Sequence, residues 1–189
     1  MIRIGLLGDI GSGKSYVAKN FGYPVFNADY EVLQLYKKNK KIFIKLKKTL
    51  PKFIRIFPID KTQISDAILA NDQNLKKIIK IIHKEIRKKM FIFLKKNKNK
   101  KIIVLDIPLL LENKLNRKKD ILVFVQSKKS DILKKLEKRA NFNKKLYNKF
   151  KNIQLPLDYK KKKSNFIIKN KFTKKSVKSG VQEILNQIK

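Results

Sequence analysis

Short apolar segments alternate along the chain with longer segments whose apolar residues recur every three or four positions. The apolar segments are typical of β-strands and lie at residues 2–7, 24–29, 102–106, 121–125 and 165–170. The spacing between them is typical of amphipathic helices. Strands that alternate with helices form parallel sheets with helices on both faces. The pattern therefore predicts an α/β fold built on a five-stranded parallel sheet.

A long stretch between the second and third strands has helical periodicity and is predicted to form a helical insert over about residues 30–98. Its longest helix is predicted at about residues 71–96, with His83 at the edge of the apolar stripe. A lone histidine there is more often a half-buried structural residue than a ligand. Asp60 is predicted to cap one helix of the insert, and Ser127 the helix after the fourth strand.

The first strand runs into a glycine-rich loop that matches the phosphate-binding pattern G-x-x-x-x-G-K-[ST] at residues 8–15. Gly8, Gly11 and Gly13 let backbone N–H groups surround a phosphate without Cβ atoms in the way. Lys14 is predicted to reach the β- and γ-phosphates, and the Ser15 hydroxyl to bind Mg²⁺. The fold is therefore predicted to be of the P-loop NTPase type.

Two of the predicted strands end in a carboxylate. Residues at the carboxyl ends of parallel strands face the ligand crevice, which predicts that Asp29 and Asp106 lie near the phosphates. Asp106 follows a continuous apolar strand, the arrangement that places a carboxylate beside nucleotide and Mg²⁺. The structural alternatives are a helix N-cap for Asp29 and a cap or turn residue for Asp106.

These features predict one domain of the P-loop type over residues 1–189. A basic segment between the fourth and fifth strands, at about residues 139–156, is predicted to act as a lid. A lid excludes water, so that the phosphoryl group reaches the acceptor instead of being hydrolysed.

The chain is strongly basic, with 49 Lys and Arg against 14 Asp and Glu and a net charge of +35. Such a charge suggests nucleic acid as a partner, but the lysines are scattered over nearly every helix and no nucleic-acid-binding motif accompanies them. We therefore expect no specific nucleic-acid binding. The lysine runs, which include residues 160–163, are interpreted as solvated helix faces. The positive field would still attract polyanionic nucleotides.

Composition also bears on location. The chain has no cysteine, no apolar run long enough to span a membrane and no signal-peptide pattern at its start. These features predict a cytoplasmic protein without membrane contact. We expect a monomer or a weak homo-oligomer.

Two other P-loop classes do not fit the motifs. A GTPase would have D-x-x-G after the third strand, where Asp106 is followed by Ile-Pro-Leu, and N-K-x-D, where Thr173 takes the place of the aspartate. A motor ATPase or transporter subunit would be longer. A kinase acting on a small molecule remains.

Over nearly its whole length the chain resembles the dephospho-CoA kinase family. Residues 4–15 are similar to the family's I-G-L-T-G-G-I-G-S-G-K-S-T, and residues 106–112, D-I-P-L-L-L-E, to its D-[VI]-P-L-L-F-E. Residues 27–29 stand for the family's D-A-D, residues 154–156 for its Q-M-P and residues 168–170 for its I-D-N.

The resemblance implies transfer of the ATP γ-phosphate to the ribose 3′-hydroxyl of dephospho-CoA, with Mg²⁺ as cofactor. It implies Asp29 as the base, with Lys14 and Arg139 stabilising the moving phosphoryl group. The predicted ATP site comprises Gly8, Gly11, Ser12, Gly13, Lys14, Ser15, Tyr16 and Asn170, with Asn170 near the adenine. The predicted acceptor site comprises Asp29, His83, Arg87, Asp106, Pro108 and Leu109. The predicted metal ligands are Ser15 and Asp106.

Several positions depart from the family's pattern. Asp9 replaces a glycine of the phosphate loop, Tyr16 a threonine and Asn27 the first aspartate of D-A-D. The residues that handle phosphate are retained, which predicts an active enzyme. Two alternatives stay open: another small-molecule or nucleotide kinase, and a degenerate P-loop scaffold that binds nucleic acid.

Overall fold

The computed structural model describes residues 1–140 and 142–188. In this part of the chain, five parallel strands form one sheet in the order β2-β3-β1-β4-β5. The strands are β1 (Ile2–Gly8), β2 (Val25–Asn27), β3 (Ile102–Asp106), β4 (Ile121–Gln126) and β5 (Phe166–Lys169). The predicted five-stranded parallel sheet is confirmed.

Helices connect the strands, as the apolar periodicity predicts. They are α1 (Lys14–Asn20), α2 (Ala28–Lys38), α3 (Lys40–Thr49), α4 (Lys61–Ala70), α5 (Asp72–Lys96), α6 (Lys129–Glu137), α7 (Lys144–Asn152), α8 (Leu157–Lys162) and α9 (Lys174–Ile188). Asp60 is the N-cap of α4, and its carboxylate accepts the Gln63 N–H at 2.9 Å. Within the described residues, no helix is both long enough and apolar enough to cross a membrane.

Strand β1 lies at the centre of the sheet, between β3 and β4, and six of its seven residues are buried. Helices α1 and α9 add Val17, Ala18, Val177 and Val181 to the same apolar core. Gly5 lies at a crowded point of β1, because a Cβ there would lie 2.6 Å from a methyl group of Leu110. Burial on both faces explains the continuous apolar run of β3 up to Asp106 and the apolar residues of β1, in which Arg3 is the one charged residue.

The chain divides into two compact units. The sheet unit contains Met1–Asn27, Asn97–Phe142 and Lys151–Lys189, and the helical unit contains Ala28–Lys96 and Asn143–Phe150. The helical unit has its own apolar core on helices α2 to α5, which includes Leu35, Ile42, Leu46, Ile68, Leu75, Ile78, Ile82 and Ile86. Within it, Lys149 pairs with Asp72 and Lys89 with Glu31.

One lysine of the run at residues 160–163 is not on a solvated face, so that interpretation is wrong for Lys160. Its side chain is 1% exposed, and its ammonium group lies 2.6 Å from Glu112. Glu112 also accepts the backbone N–H of Leu155 at 3.0 Å. The pair ties helix α8 and the segment before it to the turn after β3. Lys161 and Lys162, the next two residues, are exposed as predicted.

We predict that Lys160→Met destabilises the protein by about 3 kcal/mol, because it leaves the Glu112 carboxylate buried without its cation. Denaturant unfolding measures the change. Lys161→Met is the matched control, since it removes an exposed lysine from the same helix, and we expect less than about 0.5 kcal/mol. The double variant Lys160→Met/Glu112→Gln should recover part of the loss; equal stability of wild type and Lys160→Met would contradict this assignment.

Candidate active site

The phosphate loop leaves the end of β1 and returns as helix α1. Gly13 is the N-cap residue of α1 and has φ 89°, in the left-handed region that favours glycine. A Cβ on Gly13 would lie 2.5 Å from the amide nitrogen of Asn170. Gly8 also has a positive φ, 144°, and a Cβ there would lie 2.6 Å from the Val125 carbonyl oxygen. Side chains are thus excluded at both ends of the loop.

Lys14 lies buried under this loop. Its ammonium group donates to the carbonyl oxygens of Asp9, at 2.7 Å, and Gly8, at 3.3 Å. These two carbonyl oxygens hold the ammonium group at the loop. A phosphate oxygen, which carries negative charge, would be a stronger partner for the ammonium group than a carbonyl oxygen.

Asp9, the acid that stands where the family has a glycine, is also buried. One carboxylate oxygen accepts the Ile10 N–H at 2.7 Å, and the other lies 4.0 Å from the Lys151 ammonium group. The loop therefore satisfies one of its own N–H groups with a side-chain anion. Lys151 adds a cation close to that anion.

Asp106, at the end of β3, is 3% exposed and lies in a polar cluster. Asn27, at the end of the neighbouring strand β2, donates its amide to the Asp106 carboxylate at 2.6 Å. Burial raises the pKa of Asp106, whereas a hydrogen bond with Ser15, the charge of Lys14 and the bond from Asn27 lower that pKa. The carboxylate thus sits in a water-poor place with three groups that favour its charged form.

The pair of Ser15 and Asp106 is what a magnesium ion bound with a nucleotide requires. Mg²⁺ prefers oxygen ligands and in such sites takes one or two of them from the protein, with waters and phosphates supplying the rest. The described residues contain no cluster of three or more acidic, histidine or cysteine side chains. A hydroxyl and a carboxylate in hydrogen-bond contact nevertheless suffice for this kind of site, so the residues present fit Mg²⁺.

The carbonyl oxygen of Ser12 accepts hydrogen bonds from the ends of two other strands. Asn170, directly after β5, donates its amide at 2.9 Å, and Ser127, directly after β4, donates its hydroxyl at 3.0 Å. The prediction that Ser127 caps helix α6 is wrong: the N-cap residue is Lys128, and no side chain caps that helix. The Ser127 hydroxyl instead donates to the carbonyl oxygen of Ser12 in the phosphate loop.

The remaining predicted residues of the sheet unit lie in turns and on a helix surface. Arg139 is exposed in the turn after α6, and Tyr16 is 47% exposed on α1. Pro108 and Leu109 are half-buried in the turn that follows β3. Asn141, within the predicted lid, is outside the described residues.

Three predicted residues belong to the helical unit. Asp29 is exposed in the first turn of α2, two residues after the end of β2. His83 and Arg87 lie one turn apart on α5, and the pKa of His83 is lowered by burial first and by the Arg87 charge second. His83 is thus favoured in its neutral form. Arg87 also lines an open groove with Lys88, Phe91 and Ile92.

Three contacts at the site, those of Asn27, Ser127 and Lys151, were not predicted from the sequence. Asn27 carried a signal, because it ends a strand beside the strand of Asp106. Ser127 also follows a strand, but a serine before a helix predicts a cap more directly. Lys151 has no local signal among so many lysines.

A family model described as dephospho-CoA kinase matches residues 2–175. Among curated relatives, the dephospho-CoA kinase of Wolbachia sp. subsp. Brugia malayi is 36% identical over 98% of this chain and 97% of its own length. The enzyme of Wolbachia pipientis wMel is 37% identical over the same shares.

Solved structures agree in fold. A protein of Thermus thermophilus superposes with a TM-score of 0.79 at 22% identity, covering 100% of this chain and 98% of its own. A dephospho-CoA kinase from Campylobacter jejuni gives 0.65 at 20% identity, covering 98% and 96%. The family match over most of the chain and the full-length relatives above 30% identity show that the chain belongs to the dephospho-CoA kinase family, whose members phosphorylate a hydroxyl group of dephospho-CoA.

Proposed function

We propose that this chain transfers the γ-phosphoryl group of ATP to the ribose 3′-hydroxyl of dephospho-CoA, as its family implies. The observation that carries the proposal is the cluster of Lys14, Ser15 and Asp106 at the carboxyl ends of β1 and β3, in a chain of this family. Phosphoryl transfer needs little covalent chemistry from the protein, mainly positioning and charge. The cluster supplies both at the phosphate loop.

Lys14 and the loop N–H groups are proposed to bind the β- and γ-phosphates. On ATP binding, the ammonium group of Lys14 would exchange its carbonyl partners for phosphate oxygens. Arg139 is proposed to stabilise the charge on the moving phosphoryl group, because a guanidinium group can bind two oxygens at once. Together they offset negative charge that accumulates in the transition state.

Asp29 is proposed to accept the proton of the 3′-hydroxyl. The hydroxyl oxygen then forms its bond to the γ-phosphorus while the bond to the β,γ-bridging oxygen breaks and ADP leaves. Two observations support this role: Asp29 is exposed, and it follows β2 by two residues, next to the strand end at which ligands bind in parallel sheets.

Ser15 and Asp106 are proposed to hold Mg²⁺, which when bound would neutralise part of the charge of the phosphates. Asn27 keeps the Asp106 carboxylate oriented through the 2.6 Å hydrogen bond. Pro108 and Leu109, which follow Asp106, are proposed to contact the acceptor together with His83 and Arg87.

Other features stay predictions: a substrate-binding insert at about residues 30–98, a lid at about residues 139–156, a cytoplasmic location, and a monomer or weak homo-oligomer. The two alternatives for function also make distinct predictions. A nucleoside monophosphate kinase would phosphorylate a 5′-phosphate, and a nucleic-acid-binding scaffold would bind generic DNA or RNA with a steep salt dependence.

The acceptor is tested by ATP consumption with Mg²⁺ and purified dephospho-CoA, beside AMP and CMP. We expect turnover with dephospho-CoA alone and a product phosphorylated at the 3′-hydroxyl, identified by NMR. Phosphorylation of AMP or CMP at the 5′-phosphate would favour a nucleotide kinase. Binding of ATP without turnover of any of the three acceptors would contradict the proposed reaction.

The role of Asp29 is tested by Asp29→Asn. We expect kcat to fall by about 10²- to 10⁴-fold, the usual contribution of a general base, with little change in the Kd of ATP. Asp158→Asn is the matched control, because Asp158 is also an exposed acid in the first turn of a helix, α8. Unchanged kcat in Asp29→Asn, or an equal loss in both variants, would show that Asp29 is not the base.

The metal site is tested by Asp106→Asn. Loss of a ligand typically weakens metal binding, and we expect the Mg²⁺ concentration that half-saturates the ATP-bound protein to rise about tenfold or more. Calorimetric titration of Mg²⁺ into that complex measures it without turnover. Asp131→Asn, which removes an acid from the first turn of α6, is the control. The same Mg²⁺ affinity in wild type and Asp106→Asn would remove Asp106 from the metal site.

A further inference from the structure

The carbonyl oxygen of Ser12 is held from two sides inside the sheet unit, by the Asn170 amide at 2.9 Å and the Ser127 hydroxyl at 3.0 Å. A carbonyl oxygen has two lone pairs, and these two donors can occupy both. We propose that Asn170 and Ser127 are positioning residues that aim the N–H group of Gly13 at a phosphate oxygen of ATP. This inference rests on the proposed ATP site.

The direction of the Gly13 N–H follows from the geometry of the peptide unit. Peptide bonds are planar and trans, so the carbonyl oxygen of Ser12 and the N–H of Gly13 point in opposite directions. When the two donors hold the oxygen on their side of the loop, the N–H must point away from them. Two side chains that directly follow β4 and β5 therefore hold this N–H in its orientation.

Asn170 is itself fixed in one orientation. Its side-chain oxygen accepts the Phe172 N–H at 2.8 Å, so the nitrogen must be the end that faces Ser12. Its own backbone N–H donates to the Gln126 carbonyl oxygen at 2.8 Å, and the residue is 3% exposed. Both polar ends of the amide are thus engaged in a buried place, where an alternative orientation would lose two hydrogen bonds.

The absence of a side chain at Gly13 allows the Asn170 amide to approach the loop. A Cβ on Gly13 would lie 2.5 Å from the amide nitrogen. The motif glycine therefore serves the close approach of Asn170 as well as the positive φ of 89°. This close approach lets the Asn170 side chain reach the carbonyl oxygen of the peptide bond between Ser12 and Gly13.

This role differs from the adenine contact that the family resemblance implies for Asn170. A residue that contacts adenine matters for ATP and is irrelevant to a ligand that has phosphates but no base. A residue that orients the loop matters equally for both ligands. Inorganic tripolyphosphate supplies the phosphates alone and separates the two roles.

The experiment measures by calorimetry the Kd of ATP and of tripolyphosphate, both with Mg²⁺, for wild type, Asn170→Ala, Ser127→Ala and the double variant. We expect Asn170→Ala to raise the Kd of both ligands by the same factor, about tenfold. We expect Ser127→Ala to raise both Kd values by about threefold. The double variant should lose more than the product of the single losses, because it leaves the shared oxygen without either donor.

Asn74→Ala is the matched control. Asn74 donates its amide to the Ala67 carbonyl oxygen at 2.9 Å and is 9% exposed, so the variant removes a similarly buried bond within the helical unit. We expect it to lower the thermal midpoint and to leave the Kd of tripolyphosphate unchanged. If circular dichroism shows that Asn170→Ala does not fold, the inference is tested with Ser127→Ala alone. We expect this variant to fold, since Ser127 is only half-buried.

Weaker ATP binding with unchanged tripolyphosphate binding in Asn170→Ala would overturn the inference, because Asn170 would then be an adenine contact. Unchanged binding of both ligands by Ser127→Ala would also overturn it, because Ser127 would then not act as the second donor. If wild type binds neither ATP nor tripolyphosphate, the phosphate site and the proposed function fail together. If wild type binds both and phosphorylates dephospho-CoA while the variants bind as it does, the positioning role alone is wrong.

Discussion

The site depends on the burial of β1 between β3 and β4, with α1 and α9 completing the apolar core. Because parallel strands end at the same edge of a sheet, this packing brings the phosphate loop, Asp106 and the residues after β4 and β5 together. The packing leaves no room for a side chain at Gly5, where one added carbon atom would overlap Leu110. The geometry of the candidate site is thus a consequence of strand order and of the close packing of β1.

Charge burial is the second constraint on this basic chain. An ion removed from water must gain a partner, or the fold loses several kcal/mol. Lys160 is paired with Glu112, and Arg3 with Asp120 at 2.9 Å. Lys14 is buried and donates to two carbonyl oxygens, and its charge also acts on Asp106. The structural ion pairs join a cation directly to an anion, whereas these two hydrogen bonds of Lys14 go to neutral backbone groups, which an anionic ligand would replace.

The departures from the family's pattern have local physical explanations. Asp9 would repel phosphate if its charge faced the loop interior unpaired, but its carboxylate accepts the Ile10 N–H and lies near Lys151. Asn27 replaces an acid with an amide that donates to Asp106 at 2.6 Å, which two ionised carboxylates could not do. Tyr16, whose phenol cannot take the place of a threonine hydroxyl, is exposed on α1.

The sequence by itself determined the features whose physics is local or periodic. The apolar segments predicted the strands of the parallel sheet, and the spacing of the glycines and Lys14 predicted the phosphate loop. Asp60 was predicted as a helix N-cap and is one. Only the tertiary structure decided which polar groups meet across the sheet. Ser127 donates to the phosphate loop instead of capping α6, and Lys160 is buried although its sequence neighbours are solvated. These contacts join residues 115 and 48 positions apart, a separation over which sequence periodicity carries no information about partners.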